Sequence, residues 1–160
     1  MSLFKLLLVL PIIALAACGF SPVYGTNGSA NVLLNNVLVQ EPKTRDGFLI
    51  TKQIEQRLGR TADPRFDLGL DVTTTLETLN INAAGDIERF NLIGIANYTL
   101  RDKQTGQIIA SGKVNSFTSY SATGTTVATQ AAQQDAQKRL MVILADLLIE
   151  NLIVTADLPS

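Results

Sequence analysis

From Phe66 to Glu77 the chain alternates between two kinds of side chain. Phe66, Leu68, Leu70, Val72 and Leu76 fall on one side, with only Thr74 interrupting them, while Asp67, Gly69, Asp71, Thr73, Thr75 and Glu77 fall on the other. A period of two is that of an extended strand with one face buried and one solvated. The chain must therefore build a sheet covered on one side and supply the cover from elsewhere. Two segments offer it. Between Asp46 and Leu58, Ile50, Ile54 and Leu58 recur at helical spacing, Asp46 can cap the N-terminus, and Gly59 follows the last apolar position. From about Thr125 to Val154 a long helix is predicted, Ala- and Gln-rich at first and apolar nearly all round from Leu140 to Ile149. Such a segment is buried on more than one side. It is too short to span a bilayer, and Asp146 interrupts it.

Three more strands complete the set. Val32 to Val39 is short and rich in Val and Leu, with Asn35-Asn36 read as a bulge or edge feature. An Asn-rich connection containing Gly85 leads to a strand of about Arg89 to Arg101, in which Phe90, Leu92, Ala96, Tyr98 and Leu100 share a face with Gly94. Ile93 and Ile95 break its polar side, so the centre of that side is expected to be covered. Asp102 to Gln107 suits a hairpin turn whose glycine supplies a positive φ, and a fourth strand runs from Ile108 to about Tyr120. The order β-α-β-β-β-α, with one-sided strands, predicts an α+β domain of two layers, two helices on one face of a four-stranded sheet. Strand order is not contained in these patterns.

The N-terminus has a different character. Lys5 precedes an apolar run from Leu6 to Ala16, broken by Pro11, and Leu15-Ala16-Ala17 stands directly before Cys18. This is the layout of a secretion signal, and with the cysteine it resembles a lipobox. The expectation is a signal peptide at 1–17, removed, with Cys18 carrying a covalent diacylglycerol and an N-acyl chain and anchoring the protein to a membrane. Eleven helical residues reach only about 17 Å against a hydrocarbon core of about 30 Å, so a transmembrane reading fails. Residues 18–30, with three glycines, a proline and no charge, read as a lipidated tether, in which Phe20 and Tyr24 are unusual for a linker. The single domain is then 31–160.

Composition excludes much else. Removing 17 of 160 residues leaves 143, enough for one core, with 12 basic against 14 acidic side chains. No basic stripe supports a nucleic-acid partner. Cys18 is the one cysteine, so no intrachain disulfide forms, and there is no histidine, the commonest general base and metal ligand. No Gly-x-Ser-x-Gly, phosphate loop or paired-cysteine motif occurs, and Asp67, Asp71, Asp135 and Asp146 have ordinary readings on strand and helix surfaces. The expectation is a protein that is not an enzyme and that has no metal and no cofactor beyond the acyl chains.

At this point a resemblance appears. Cys18-Gly19-Phe20-Ser21-Pro22-Val23-Tyr24-Gly25 after a lipobox is similar to the mature start of the LptE family of lipopolysaccharide-assembly lipoproteins, of the alphaproteobacterial type. The likeness continues through Arg89-Phe90-Asn91-Leu92-Ile93-Gly94, Asn97-Tyr98-Thr99-Leu100, the hairpin Asp102 to Gly106, Ser111-Gly112-Lys113-Val114, Tyr120, Ala131-Ala132 and Asp135 to Arg139. It implies two helices on one face of a four-stranded mixed sheet. It implies an outer-membrane location and a role in plugging and assembling an LptD-type β-barrel that delivers lipopolysaccharide to the outer leaflet. A barrel lumen is polar, and Thr73-Thr74-Thr75, the asparagines at 80, 82, 91 and 97, and the Ser and Thr residues from 115 to 126 provide a surface to match it. Arg101 and Lys103 at the hairpin, with Arg89 and Lys113 on strands, are the candidates for lipopolysaccharide phosphates. Two other readings stay open: an auxiliary lipoprotein of a lipid-transport ATPase system, favoured by a hydrophobic groove in place of a filled core, and a pilot lipoprotein for an outer-membrane ring, favoured by an exposed helix from Leu140 to Val154.

Overall fold

The structure, a computed structural model, describes residues 29–81, 85 and 87–156. The signal at 1–17, Cys18, Phe20, Tyr24 and Asn82 lie outside the described residues. In chain order the elements are helix α1 (Ser29–Leu33), strand β1 (Val37–Val39), helix α2 (Arg45–Leu58), strands β2 (Phe66–Ile81), β3 (Ile87–Asp102) and β4 (Ile108–Ser121), and helix α3 (Thr126–Thr155). The strands lie side by side in sequence order, β1 parallel to β2 and the rest antiparallel. Helix α2 makes the crossover that a parallel pair requires. The expected α+β architecture, two main helices on one face of a four-stranded mixed sheet, is therefore what the chain adopts.

The first strand is shorter than its composition suggests. Only Val37–Val39 pair with β2, and Ala30 and Leu33 belong to α1, both buried in the core. Asn35 adopts φ 55°, a left-handed conformation that asparagine tolerates better than most residues. It ends α1, and the Asn36 side-chain amide closes the junction by donating to the Val32 carbonyl at 3.0 Å. The two asparagines are thus a helix-to-strand junction and not a bulge.

Helix α2 is capped by Thr44, not Asp46. Thr44 is extended (φ −127°, ψ 162°), and its hydroxyl accepts from the Gly47 N–H at 3.0 Å. Asp46 lies one residue inside the helix, and its carboxylate accepts from the Thr74 hydroxyl at 2.9 Å and from the Gln137 side-chain amide. It ties α2 to β2 and to α3. At the other end Gly59 has φ 83° and donates to the Glu55 carbonyl at 2.9 Å, as the sequence pattern anticipates.

The inner faces of β2, β3 and β4 meet the helices in one core. Phe66, Leu68, Ala96, Leu100, Ile50, Ile54, Leu140, Leu144, Leu148 and Leu152 are fully buried in it. Helix α3 reaches the sheet most closely at Gly94, where an added Cβ would stand 2.8 Å from Leu144 Cδ1. It contacts β3 and β4 on one side, α2 on another and α1 on a third, which is why its second half is apolar nearly all round. Asp146, the interruption, faces α2, with its Oδ1 3.3 Å from Arg57 Nε. That is ion-pair distance without hydrogen-bond alignment, so this oxygen has no hydrogen-bond partner among the described residues. The cover stops near Thr74, so Leu76, though on the inner face, is 44 % exposed.

Candidate functional site

The other face of the sheet carries no described element. Alternation and register place its side chains in cross-strand rows: Asp71, Asn97 and Lys113; Thr73, Ile95 and Asn115; Thr75, Ile93 and Phe117; Glu77, Asn91 and Ser119. Most are short and polar. The Ser119 hydroxyl donates to Asn91 Oδ1 at 2.9 Å across two strands. The centre is apolar: Ile93 and Ile95 are half-buried, and Phe117 beside them is 63 % exposed. The cover expected over Ile93 and Ile95 is not supplied by any described element.

The four basic candidates are all exposed, but they do not form one cluster. Arg101, Lys113 and Arg89 lie on the open face, and Lys103 stands in the turn beyond it. Arg89 and Arg101 are twelve residues apart on β3, about 40 Å at ~3.3 Å per residue, too far for one headgroup. Lys113 pairs with Asn97, four residues from Arg101, a separation of about 13 Å along the strand. Each of this nearer pair has an acidic neighbour: Asp67 is directly opposite Arg101, and Asp71 lies across Asn97 from Lys113. The geometry therefore brings Arg101, Lys103 and Lys113 to one end of the sheet and leaves Arg89 at the other.

Asp102, between Arg101 and Lys103, plays a different part. Its side chain is buried and turned away from them. Oδ1 accepts from the N–H groups of Gln104 at 2.8 Å and Thr105 at 3.1 Å, and Oδ2 lies 3.4 Å from Arg65 Nε. Chiefly the Thr105 N–H, with Gln104 and Arg65 adding to it against the opposing effect of burial, holds this carboxyl below its ordinary range. Gly106, at φ 72°, donates to the Asp102 carbonyl at 2.8 Å and closes the turn. The hairpin that carries Arg101 and Lys103 is thereby built on a fixed frame.

A second feature escaped the sequence patterns. Between the free edge of β1 and α2 runs an open groove of about 930 Å³, walled by Leu38, Val39 and Pro42 on one side and Phe48, Thr51 and Lys52 on the other. Phe48 falls off the Ile50–Ile54–Leu58 row and is 60 % exposed; an aromatic off the buried stripe was the available signal. Among the described residues no group of three or more His, Cys, Asp or Glu side chains is placed to hold a metal ion. No helix among them is long and apolar enough to cross a membrane.

The family profile of LptE lipopolysaccharide-assembly proteins matches residues 34–152, from the end of α1 through most of α3. The chain belongs to the LptE family. Among curated protein sequences none matches it. Solved structures share its fold. A Caulobacter crescentus chain described as a lipoprotein superimposes with TM-score 0.65 at 24 % identity, over 79 % of this chain and 96 % of that one. The minor lipoprotein of Acinetobacter baumannii gives TM-score 0.58 at 18 % identity, over 78 % and 97 %. Rare lipoprotein B of Shewanella oneidensis gives 0.56 at 14 %, over 73 % and 91 %. As an LptE-family member, the chain takes its role in lipopolysaccharide assembly, as a membrane-associated lipoprotein.

Proposed function

We propose that this LptE-family protein is held in the outer membrane by acyl chains on Cys18 and that its two-layer body fills the lumen of an LptD-type β-barrel. There it helps the barrel assemble and takes part in delivering lipopolysaccharide to the outer leaflet. The family match over residues 34–152 carries this reading. The physics of the open face supports it: a barrel lumen is polar, and Thr73, Thr75, Asn91, Asn97, Asn115 and Ser119 offer short hydrogen-bonding side chains on a surface with no described cover. Arg101, Lys103 and Lys113, gathered at one end, are the side chains suited to lipid phosphates. The pilot reading loses its support, since Leu140, Leu144, Leu148 and Leu152 are fully buried. The ATPase-auxiliary reading is favoured by a hydrophobic groove in place of a filled core; the core beneath the helices is filled, and the open groove of the fold lies outside it, beside β1.

The test is recovery of the full lipidated chain from native outer membranes in mild detergent, with a photo-crosslinker at Asn115 on the open face. Crosslinking to a large β-barrel through that position is the expected result. Recovery with no barrel, at any detergent strength that keeps the protein folded, would refute it.

A further inference from the structure

Strand β4 is the last in the sheet, and its outer edge is bare of any described element. The Ala122 N–H donates to the Glu88 carbonyl of β3. Carried back along the register of β3 and β4, this turns the backbone groups of even-numbered residues, Gly112 to Tyr120, toward β3. Ser111, Lys113, Asn115, Phe117 and Ser119 therefore point their N–H and C=O groups outward. The edge has few guards against pairing: from Ala110 to Ser121 the ladder with β3 runs without a bulge, and this stretch has no proline and one charge, Lys113. The flank of α3 above it is apolar. The Ala136 carbonyl accepts from the Thr118 hydroxyl of β4 at 2.9 Å, and Ile143, 37 % exposed, stands seven residues on, along the same side of the helix. Helix α3 runs antiparallel to β4, and Leu140 and Leu144 cross Gly94, the partner of Ser116. Seven helical residues cover about 10.5 Å and three strand residues about 10 Å, so Ile143 lies level with Asn115.

We propose that this edge takes a second copy of the chain, β4 against β4, antiparallel about a two-fold axis at Asn115, so that the two sheets become one of eight strands. The register is self-complementary. Lys113 falls opposite Phe117 of the second copy and Ser111 opposite its Ser119, each pair occurring twice. The one cation of the edge thus lies against a ring that is otherwise 63 % exposed, and the two lysines stay ~13 Å apart along the strands. On the helix side small residues meet larger ones, Gly112 with Thr118 and Ala110 with Tyr120. The same axis brings Ile143 against its twin, so strand pairing and helix packing, from separate observations, call for one axis. The contact uses the edge of the sheet and leaves its open face free, so it stands apart from the barrel reading.

The experiment uses the full lipidated chain, its Cys18 thiol acylated, purified in mild detergent without a barrel. Across the axis the two copies of residue 115 are about 5.5 Å apart between Cα atoms, within disulfide range, whereas the copies of residue 111 are ~26 Å apart. Mild oxidation should link Asn115→Cys into a dimer and leave Ser111→Cys monomeric on a non-reducing gel. Adding Ile143→Asp to Asn115→Cys should slow the linking about tenfold, since two carboxylates would meet on the axis, with far-UV circular dichroism checking that the fold is intact. Equal linking at 111 and 115, the result of chance encounter in one micelle, would overturn the proposal. So would no linking at 115, or linking that Ile143→Asp does not slow.

Discussion

Helix α3 approaches the sheet at Gly94, and the closeness of that approach can be measured by a double-mutant cycle. A Cβ at 94 would lie 2.8 Å from Leu144 Cδ1 and 3.0 Å from Leu140 Cδ2, inside the roughly 3.5–4.0 Å of good carbon contact. Gly94→Ala should gain about 0.5–1 kcal/mol from lower chain entropy and lose about 1–3 kcal/mol to overpacking, a net destabilisation. Leu144 is fully buried, so Leu144→Ala alone should cost about 2.7–5 kcal/mol. In the double variant the Cδ1 that obstructs the methyl introduced at position 94 is gone, and that methyl takes part of the void. The combined cost should fall short of the sum by about 1 kcal/mol or more. The chain has no tryptophan, so urea unfolding is best followed by far-UV circular dichroism. Costs that add within about 0.5 kcal/mol, or a Gly94→Ala variant more stable than its parent, would refute the contact.

Three other outcomes are expected. Cys18→Ser should take the protein out of the outer-membrane fraction in cells lacking the barrel, as a soluble or an uncleaved form, since acyl chains contribute about 0.8 kcal/mol per buried CH2; unchanged outer-membrane fractionation would rule out lipidation at Cys18 as the anchor. Asp102 has its folded-state pKa lowered, so its stabilisation is present above the ordinary carboxylate range and is lost as pH falls below about 4; Asp102→Asn should flatten the fall in melting temperature over that acid window. Arg101→Glu with Lys103→Glu should weaken lipopolysaccharide binding by about tenfold in a salt-dependent way, whereas Arg89→Glu, at the far end of β3, should not; equal effects would mean that overall charge, not this end of the sheet, governs binding.

The long elements were legible because burial imposes a period on them. The alternation of β2 and the one-sided rows of β3 and β4 follow directly from a sheet covered on one face, and the all-round apolarity of Leu140 to Ile149 follows from a helix touched on three sides. Short elements follow local rules instead. Val32 and Leu33 look like strand residues by type, yet Asn35 in a left-handed conformation turns them into the end of a helix. Asp46 and Thr44 are both able to cap a helix, and the choice rests on Thr74 and Gln137, which are distant in sequence. Among the site candidates, face and exposure could be read from strand parity. That Arg89 stands apart from Arg101 also follows from their spacing, once both are placed on one strand. Of the groove at β1 only one wall was legible, as Phe48 off the Ile50–Ile54–Leu58 row; its other wall depends on which strand becomes the edge of the sheet.

The sheet's sequential order also has a mechanical consequence. Strands β2, β3 and β4 form a meander of long, locally connected pairs, with 16, 16 and 14 residues. β1 contributes three residues, joined to the rest through the α2 crossover. Tension entering from the N-terminal side reaches α1 and β1 first, where the fewest backbone bonds oppose it. Under load α1 and β1 should peel away first, up to about Pro42, while α2, held by Asp46 and by the buried Ile50 and Ile54, stays with the meander and α3. That is a built-in slack of about fourteen residues, ~46 Å when extended, between a pulled end and the rest of the body.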